Sequence, residues 1–423
     1  GLVGSEMCIR DRSILMIMII IINEKDRWNL MAKYFFSSSF LLFLGNWIGQ
    51  VGLNWFVLTT YHNAVYLGLV NFCRLIPILL LSVWAGSIAD KYDKGLLLRI
   101  TISSSFIITA LLCLLTYSLN TIPIFIILLY ATFRGILSAV ETPVRQAVLP
   151  DLSSKISTTQ AVSFHSFIIN ICRSIGPAIA GGLIAVYHTP TTFLAQAVCY
   201  FIAAVLCIPV HFEVIVSQKE EKALPLKVVL NYFKSNLEGS QIFITSIIIM
   251  ATGFSYTTVL PVLTNHIFPG QSQVFGIAMT FCAIGGIVAT IVLPSILKHL
   301  STVKMYYLSS ILFGMALLGI IIHHLVVMFI CITLIGLFSQ WSRTTNRVYF
   351  QHSVKDCDRG KVLSIVMMDR GMIPLGSLIM SFFADMFGIL TTFTIMGIST
   401  ISISIIFYII QRISNMEESN NES

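Results

Sequence analysis

The stretch GSIADKYDKGLLLR, Gly86–Arg99, sets five charged residues and two glycines between two long apolar runs. Elsewhere charge is scarce: only 11% of the 423 residues are charged, 56% are hydrophobic, and the mean hydropathy is +0.87. A soluble domain carries about 25% charged residues, so this composition is that of an integral membrane protein. A compact charged stretch in such a chain is a turn at the membrane surface. Working outward from it, twelve apolar runs approach or exceed the roughly 20 residues that a helix needs to cross a bilayer. They are 34–58, 64–89, 97–117, 123–145, 160–186, 191–212, 241–263, 273–297, 305–322, 325–348, 361–387 and 390–411. None alternates with the period of a strand.

Lysine and arginine set the expected orientation. With the N-terminus inside, the even gaps between runs hold Lys91 and Lys94, then Lys155, then Lys219, Lys222, Lys227 and Lys234, then Lys298 and Lys304, then Lys355 and Arg359. The odd gaps hold neither residue type. The positive-inside rule then places both termini in the cytoplasm of a cell-membrane protein. The same distribution accounts for the net charge of +7 without a nucleic-acid partner.

The longest polar gap, 213–240, divides the runs into six and six, and LPLKVVLNYFKSNL within it reads as a short amphipathic surface helix. The first residues, GLVGSEMCIRDR, resemble a translated sequencing adapter, and SILMIMIIII is too short to span. The expected organisation is therefore a non-native leader at 1–30, a six-helix bundle at 31–212, a cytoplasmic linker at 213–240, a second bundle at 241–412 and a polar tail at 413–423.

The halves echo one another. ETPVRQAV ends run 4 and RTTNRVYF ends run 10, with Arg145 and Arg347 at matching places. Run 5 carries CRSIGP, with Arg173 and Pro177; run 11 carries DRGMIP, with Arg370 and Pro374. Duplication of a six-helix unit is one of the repeat plans of secondary transporters.

Within the opening stretch, Gly86, Ala89, Asp90, Lys91 and Lys94 match a motif of the form G-x-L-A-D-[RK]-x-G-R-[RK]; Ile88, Asp93 and Gly95 depart from it. With twelve runs around it, the chain resembles the major facilitator superfamily. More of it, from GNWIGQVGLNWFVL through ICRSIGPAIAGGLIA, is similar to the transmembrane secretion effector branch, whose members include enterobactin and macrolide exporters. The resemblance implies an all-α membrane protein, twelve transmembrane helices in two six-helix bundles. It implies an inner gate built on Gly86, Asp90, Lys91, Lys94 and Arg99. It places Arg134 where the superfamily often has an arginine linked to proton coupling. Gly176, Pro177 and Gly181 match part of an antiporter motif, G-x-x-x-G-P-x-x-G-G, that favours export. Related proteins often carry an acid near Asn46, where an amide cannot carry a proton.

The residues themselves add candidates. Asn46, Gln50 and Asn54 recur every four positions and drift along one helix face, toward a cavity or a neighbouring helix. Arg74, Arg134 and Arg173 lie mid-run, and such charges must pair or face water. Proton antiport needs a carboxylate that alternates between protonated and ionised forms; Glu141 and Asp369 are the candidates, each beside an arginine, Arg145 or Arg370. Glu141 and Arg145, four apart, also suit a local pair.

Nine cysteines without a C-x-x-C pair sit mostly in apolar runs and read as packing. There is no phosphate-binding G-x-x-x-x-G-K-[ST] loop and no usable catalytic or metal-ligand spacing; His323–His324 reads as an exposed turn. The expectation is a monomeric transporter, not an enzyme, without cofactor or metal. Its partners would be protons, the bilayer and an amphiphilic small molecule, drug-like or siderophore-like, exported by antiport. An importer or lipid transporter on the same fold, or a membrane sensor or scaffold, are the alternatives.

Overall fold

A computed structural model describes residues 3–119, 121–150, 152, 158–210, 226–354 and 359–421, with the side chains of 3–29, 82–87, 89–91, 158–159, 226–228, 359–361, 364, 370 and 414–421 left outside the description. Among the described residues the regular structure is helical throughout. The first half comprises α1 (Val3–Tyr61), α2 (Ala64–Lys91), α3 (Lys94–Ser118), α4 (Ile124–Val148), α5 (Thr158–Tyr187) and α6 (Pro190–Cys207). A short α7 (Leu226–Ser235) precedes the second half. That half holds α8 (Leu237–Thr252), α9 (Tyr256–Ile267), α10 (Ser272–Ile296), α11 (Thr302–Gly319), α12 (Leu325–Ser353), α13 (Arg359–Val366), α14 (Met372–Phe387) and α15 (Ile389–Asn421).

Among the described residues eleven segments are long and apolar enough to cross a membrane, beginning at Leu30–Tyr61 and counting α8 and α9 as one span, Leu237–Ile267. Run 11 is divided into pieces too short to count alone: α13, a 3-10 turn at Met367–Gly371, then α14. Pro374 explains the break. It has no N–H for the carbonyl four residues back, and its ring crowds that carbonyl, so the turn before it tightens. In run 7 the break falls at Gly253–Ser255, where the Gly253 and Phe254 N–H groups both reach the Ile249 carbonyl. No proline marks that site.

The turns carry their own signals. Asn63 caps α2, accepting from the Val65 N–H at 2.7 Å. Asp93 caps α3, accepting from Gly95 at 2.9 Å and Leu96 at 3.2 Å. A capping acid there replaces an orphan-donor cost of about 1 kcal/mol. The turns after α5 and α14 occupy corresponding places in the two halves, and both use a left-handed residue: His188 at φ 67° and Gly388 at φ 84°.

The halves meet along α2–α14 and α5–α10. One tight approach between them lies where the C-terminal part of α5 meets the first turns of α10. There Gly181 and Gly276 face each other so tightly that a Cβ on Gly276 would meet the Pro177 carbonyl at 2.5 Å. Trp55 stacks on Phe275 with ring centres 6.2 Å apart, and Ser381 fills the space beside Gly68.

Candidate functional site

Helix α4 places Tyr130, Arg134, Ser138 and Thr142 at intervals of four along one face. Arg134 is held from three sides. It donates to Ser105 Oγ of α3 at 2.9 Å, to the Tyr200 hydroxyl of α6 at 3.0 Å and to Asn46 Oδ1 of α1. The Tyr200 ring lies 5.1 Å beneath the guanidinium. Tyr200 in turn donates to Asn46 at 2.6 Å and accepts from Gln196 at 2.8 Å. Asn46 thus serves as a neutral acceptor for an arginine and a tyrosine together. Arg74, on α2, has weaker support: it donates to Asn71 Oδ1 at 3.4 Å, and Arg134 repels it.

Asn46, Gln50, Arg74 and Arg134 line one cavity of about 320 Å³, with Trp47 and Tyr130. Asn54 does not line it: it accepts from Asn71 at 3.0 Å and is buried, so it joins α1 to α2. Arg173 lines a second cavity of about 210 Å³, shared with Arg343, Tyr256, Phe254 and again Trp47. Arg343 stacks over the Phe254 ring at 4.9 Å and donates to Gln340 at 2.9 Å. The Nε atoms of Arg173 and Arg343 are buried without a partner among the described residues. A larger apolar groove, about 940 Å³ between α1 and α5, is rimmed by exposed Phe164 and Phe167 and holds neither arginine pair.

The two candidate acids sit in different surroundings. Glu141 forms an ion pair with Arg145 at 3.0 Å on the same helix, and Arg145 is 1% exposed at its side chain. Arg145 also donates to Ser39 at 2.6 Å and lies against Phe35 and Phe43. Asp369 sits in the 3-10 turn and takes its bonds from neutral groups: Ser246 Oγ at 2.6 Å and Asn346 Nδ2 at 3.3 Å. Asn346 bonds Ser246 as well, at 2.9 Å. Arg347 and Arg343 act on Asp369 only through space.

Of the expected gate, Lys94 donates to the Ala147 carbonyl at the end of α4, 3.1 Å away. Arg99 pairs with Asp93 at 3.6 Å and donates to the Gly95 carbonyl at 3.2 Å. The side chains of Gly86, Asp90, Lys91 and Arg370 lie outside the described residues. The antiporter-like stretch divides: Gly176 packs on Trp47 inside the first half, while Pro177 and Gly181 form the seam with α10. Thr280 of α10 adds a bond to the Ser174 carbonyl at 2.7 Å.

Sequence reasoning passed over Arg343, Trp47, Tyr200, Ser246 and Asn346. Arg343 had a signal: it stands one helical turn before Arg347, as Glu141 stands before Arg145. Gln196 and Tyr200, four apart in run 6, offered a similar one.

Comparison with known proteins follows the same lines. The sequence model of the transmembrane secretion effectors matches residues 30–423. The staphyloferrin A transporter of Staphylococcus aureus (strain NCTC 8325 / PS 47) is 74% identical over 394 residues, 92% of this chain and 99% of that protein. Macrolide efflux protein A of Streptococcus pyogenes is 19% identical over 404 residues, 93% of this chain and 98% of its own. Among solved structures, the nucleoside transporter NupG superposes with a TM-score of 0.70 at 15% identity, covering 89% of this chain and 98% of NupG. A bacterial homologue of the human lysosomal transporter Spinster, inward-facing and occupied, gives 0.71 at 11% identity over 90% of this chain and 96% of its own.

Proposed function

Because the chain belongs to the transmembrane secretion effector family of major facilitator transporters, we propose that it exports a siderophore of the staphyloferrin A kind across the cell membrane, driven by proton antiport. The observation that carries this reading is the 74% identity, over nearly the whole length, to a staphyloferrin A transporter. The cavities agree with it in place. The first is lined by first-half residues alone and the second by residues of both halves, and Trp47 lines both, which suits a site reached in turn from either side as the bundles rock. The lysine and arginine distribution supports cytoplasmic termini, so the tight seam at Gly181 and Gly276 is the outer gate. Its closure matches a protein waiting for cargo from inside.

Asp369 is the proton carrier in this scheme. A carrier must release and regain its proton without unlocking a buried ion pair, and Ser246 and Asn346 are neutral donors that can accommodate either form. Glu141 is tied to Arg145, and breaking a buried pair costs about 3–5 kcal/mol. Lys94 and Arg99 belong to the inner gate that opens when Asp369 changes state.

Inverted vesicles test the whole reading. With the cytoplasmic face outward, staphyloferrin A should accumulate when the lumen is acidified and stop when a protonophore collapses the gradient. Accumulation that ignores the gradient would remove the antiport; uptake only into right-side-out vesicles would reverse the direction.

A further inference from the structure

Four arginines of helices long and apolar enough to cross a membrane stand around the paired cavities, and none of them is paired directly with an acid among the described residues. Arg74 and Arg134 line the first cavity; Arg173 and Arg343 line the second. Among the described residues lining either cavity there is no aspartate or glutamate. Within each pair the guanidiniums repel. Glu141, the nearest acid to act on Arg134, is already bonded to Arg145. A charge within a membrane-spanning helix persists only when it pairs or serves a ligand pathway.

The second pair is the sharper case. Arg173 comes from α5 in the first half and Arg343 from α12 in the second. Each keeps a buried Nε without a partner, and a buried donor left unmade costs about 1–3 kcal/mol. Packing does not explain two such donors brought to one cavity from opposite halves. A carboxylate does: the guanidinium fork matches it in bidentate geometry, and an anion between two arginines turns their repulsion into attraction.

We propose that the two arginine pairs are two anion subsites, joined at Trp47, which take the two carboxylate ends of one elongated ligand. Arg74 is the contact of the first subsite, because Arg134 already spends its donors on Ser105, Asn46 and Tyr200. Arg173 and Arg343 clamp the other end and tie the halves together across it. The inference rests on reading these cavities as the substrate site, and it adds the charge and shape of the substrate.

The test uses the full chain in nanodiscs of uncharged lipid and a series of linear α,ω-dicarboxylates with their monoamides and diamides. Thermal stabilisation and tryptophan fluorescence report binding. Dicarboxylates of one preferred length should bind at least about tenfold more tightly than the matching monoamide, the worth of one charge-assisted contact. The diamide should not bind. Arg173→Gln and Arg343→Gln should each erase that tenfold advantage and leave the monoamide within about twofold of its original affinity. Melting without ligand checks folding, and Arg343→Lys, which keeps the charge but loses the fork, should retain part of the advantage. Equal binding of diamide and dicarboxylate, or an Arg343→Gln protein that folds and binds as before, overturns the proposal. Dicarboxylate binding without gradient-driven transport of staphyloferrin A would sink the proposed function and leave the subsites standing. Gradient-driven transport with unchanged KM in both glutamine variants would do the reverse.

Discussion

The first half closes its buried acid into an ion pair, Glu141 with Arg145, on a single unbroken helix. The second half leaves Asp369 among neutral donors, in a turn where the helix is broken. The arginines follow the same division. Arg134 is bonded on three sides within the first half, whereas Arg343 keeps an unpartnered Nε; Arg173, which reaches it from the first half, is the exception, with an unpartnered Nε of its own. The two halves thus differ in how much freedom they leave their buried acids. In the proposed scheme the first is a fixed frame and the second holds the parts that change state.

Replacing the two acids separates frame from carrier most strongly. Asp369→Asn should reduce gradient-driven transport to the vesicle background while substrate exchange without a gradient continues. Glu141→Gln should do the opposite. It strands Arg145, destabilising the protein by about 3–5 kcal/mol, and the protein that does fold should still couple. The double change Glu141→Gln with Arg145→Met should recover most of that stability, since replacing a whole buried pair is often neutral. Should Glu141→Gln abolish coupling at unchanged stability, the two roles are the reverse of those assigned here.

The outer seam gives the next effect. Gly276→Val would drive a branched side chain into the Pro177 carbonyl, and overpacking of this kind costs about 1–3 kcal/mol. Because that cost falls only on the closed seam, the outward-open form should gain population by about tenfold for each 1.4 kcal/mol. A cysteine placed at Phe275 would report it as faster labelling from outside. Unchanged labelling would mean that the seam is not the gate.

How much of this could be read from the chain depended on whether one run carried the signal. The spans were legible because length and hydropathy are properties of single runs, and the lysine pattern was legible because it needs only counting. The Asp93 departure from the family motif made sense only in the fold, where it caps α3 and faces Arg99. Arg343 was hidden because an arginine near the end of a run reads as a surface anchor; its depth depends on Phe254, about ninety residues away. Asn54 was left between cavity and neighbouring helix for a related reason. Its spacing puts it on the cavity face, but Asn71 reaches it first. The break at Gly253–Ser255 has no proline to announce it, whereas the one at Met367–Gly371 has Pro374.

The two prolines make the finest test of the comparison. Pro177 and Pro374 occupy corresponding places in the repeat, four residues after Arg173 and Arg370. Yet α5 runs through Pro177 without interruption, while the helix before Pro374 collapses into a 3-10 turn that carries Asp369. A mid-helix 3-10 stretch often marks a hinge. If the turn exists to let Asp369 move, Pro374→Ala should restore an N–H, favour continuous helix and lower the transport rate by roughly fivefold, a barrier change of about 1 kcal/mol. Pro177→Ala restores a bond in a helix already intact and should change the rate by less than about twofold. Steady-state rates in the same vesicles decide it. Equal effects would show that the break is only the geometric consequence of a proline, and that the freedom of Asp369 comes from Ser246 and Asn346 alone.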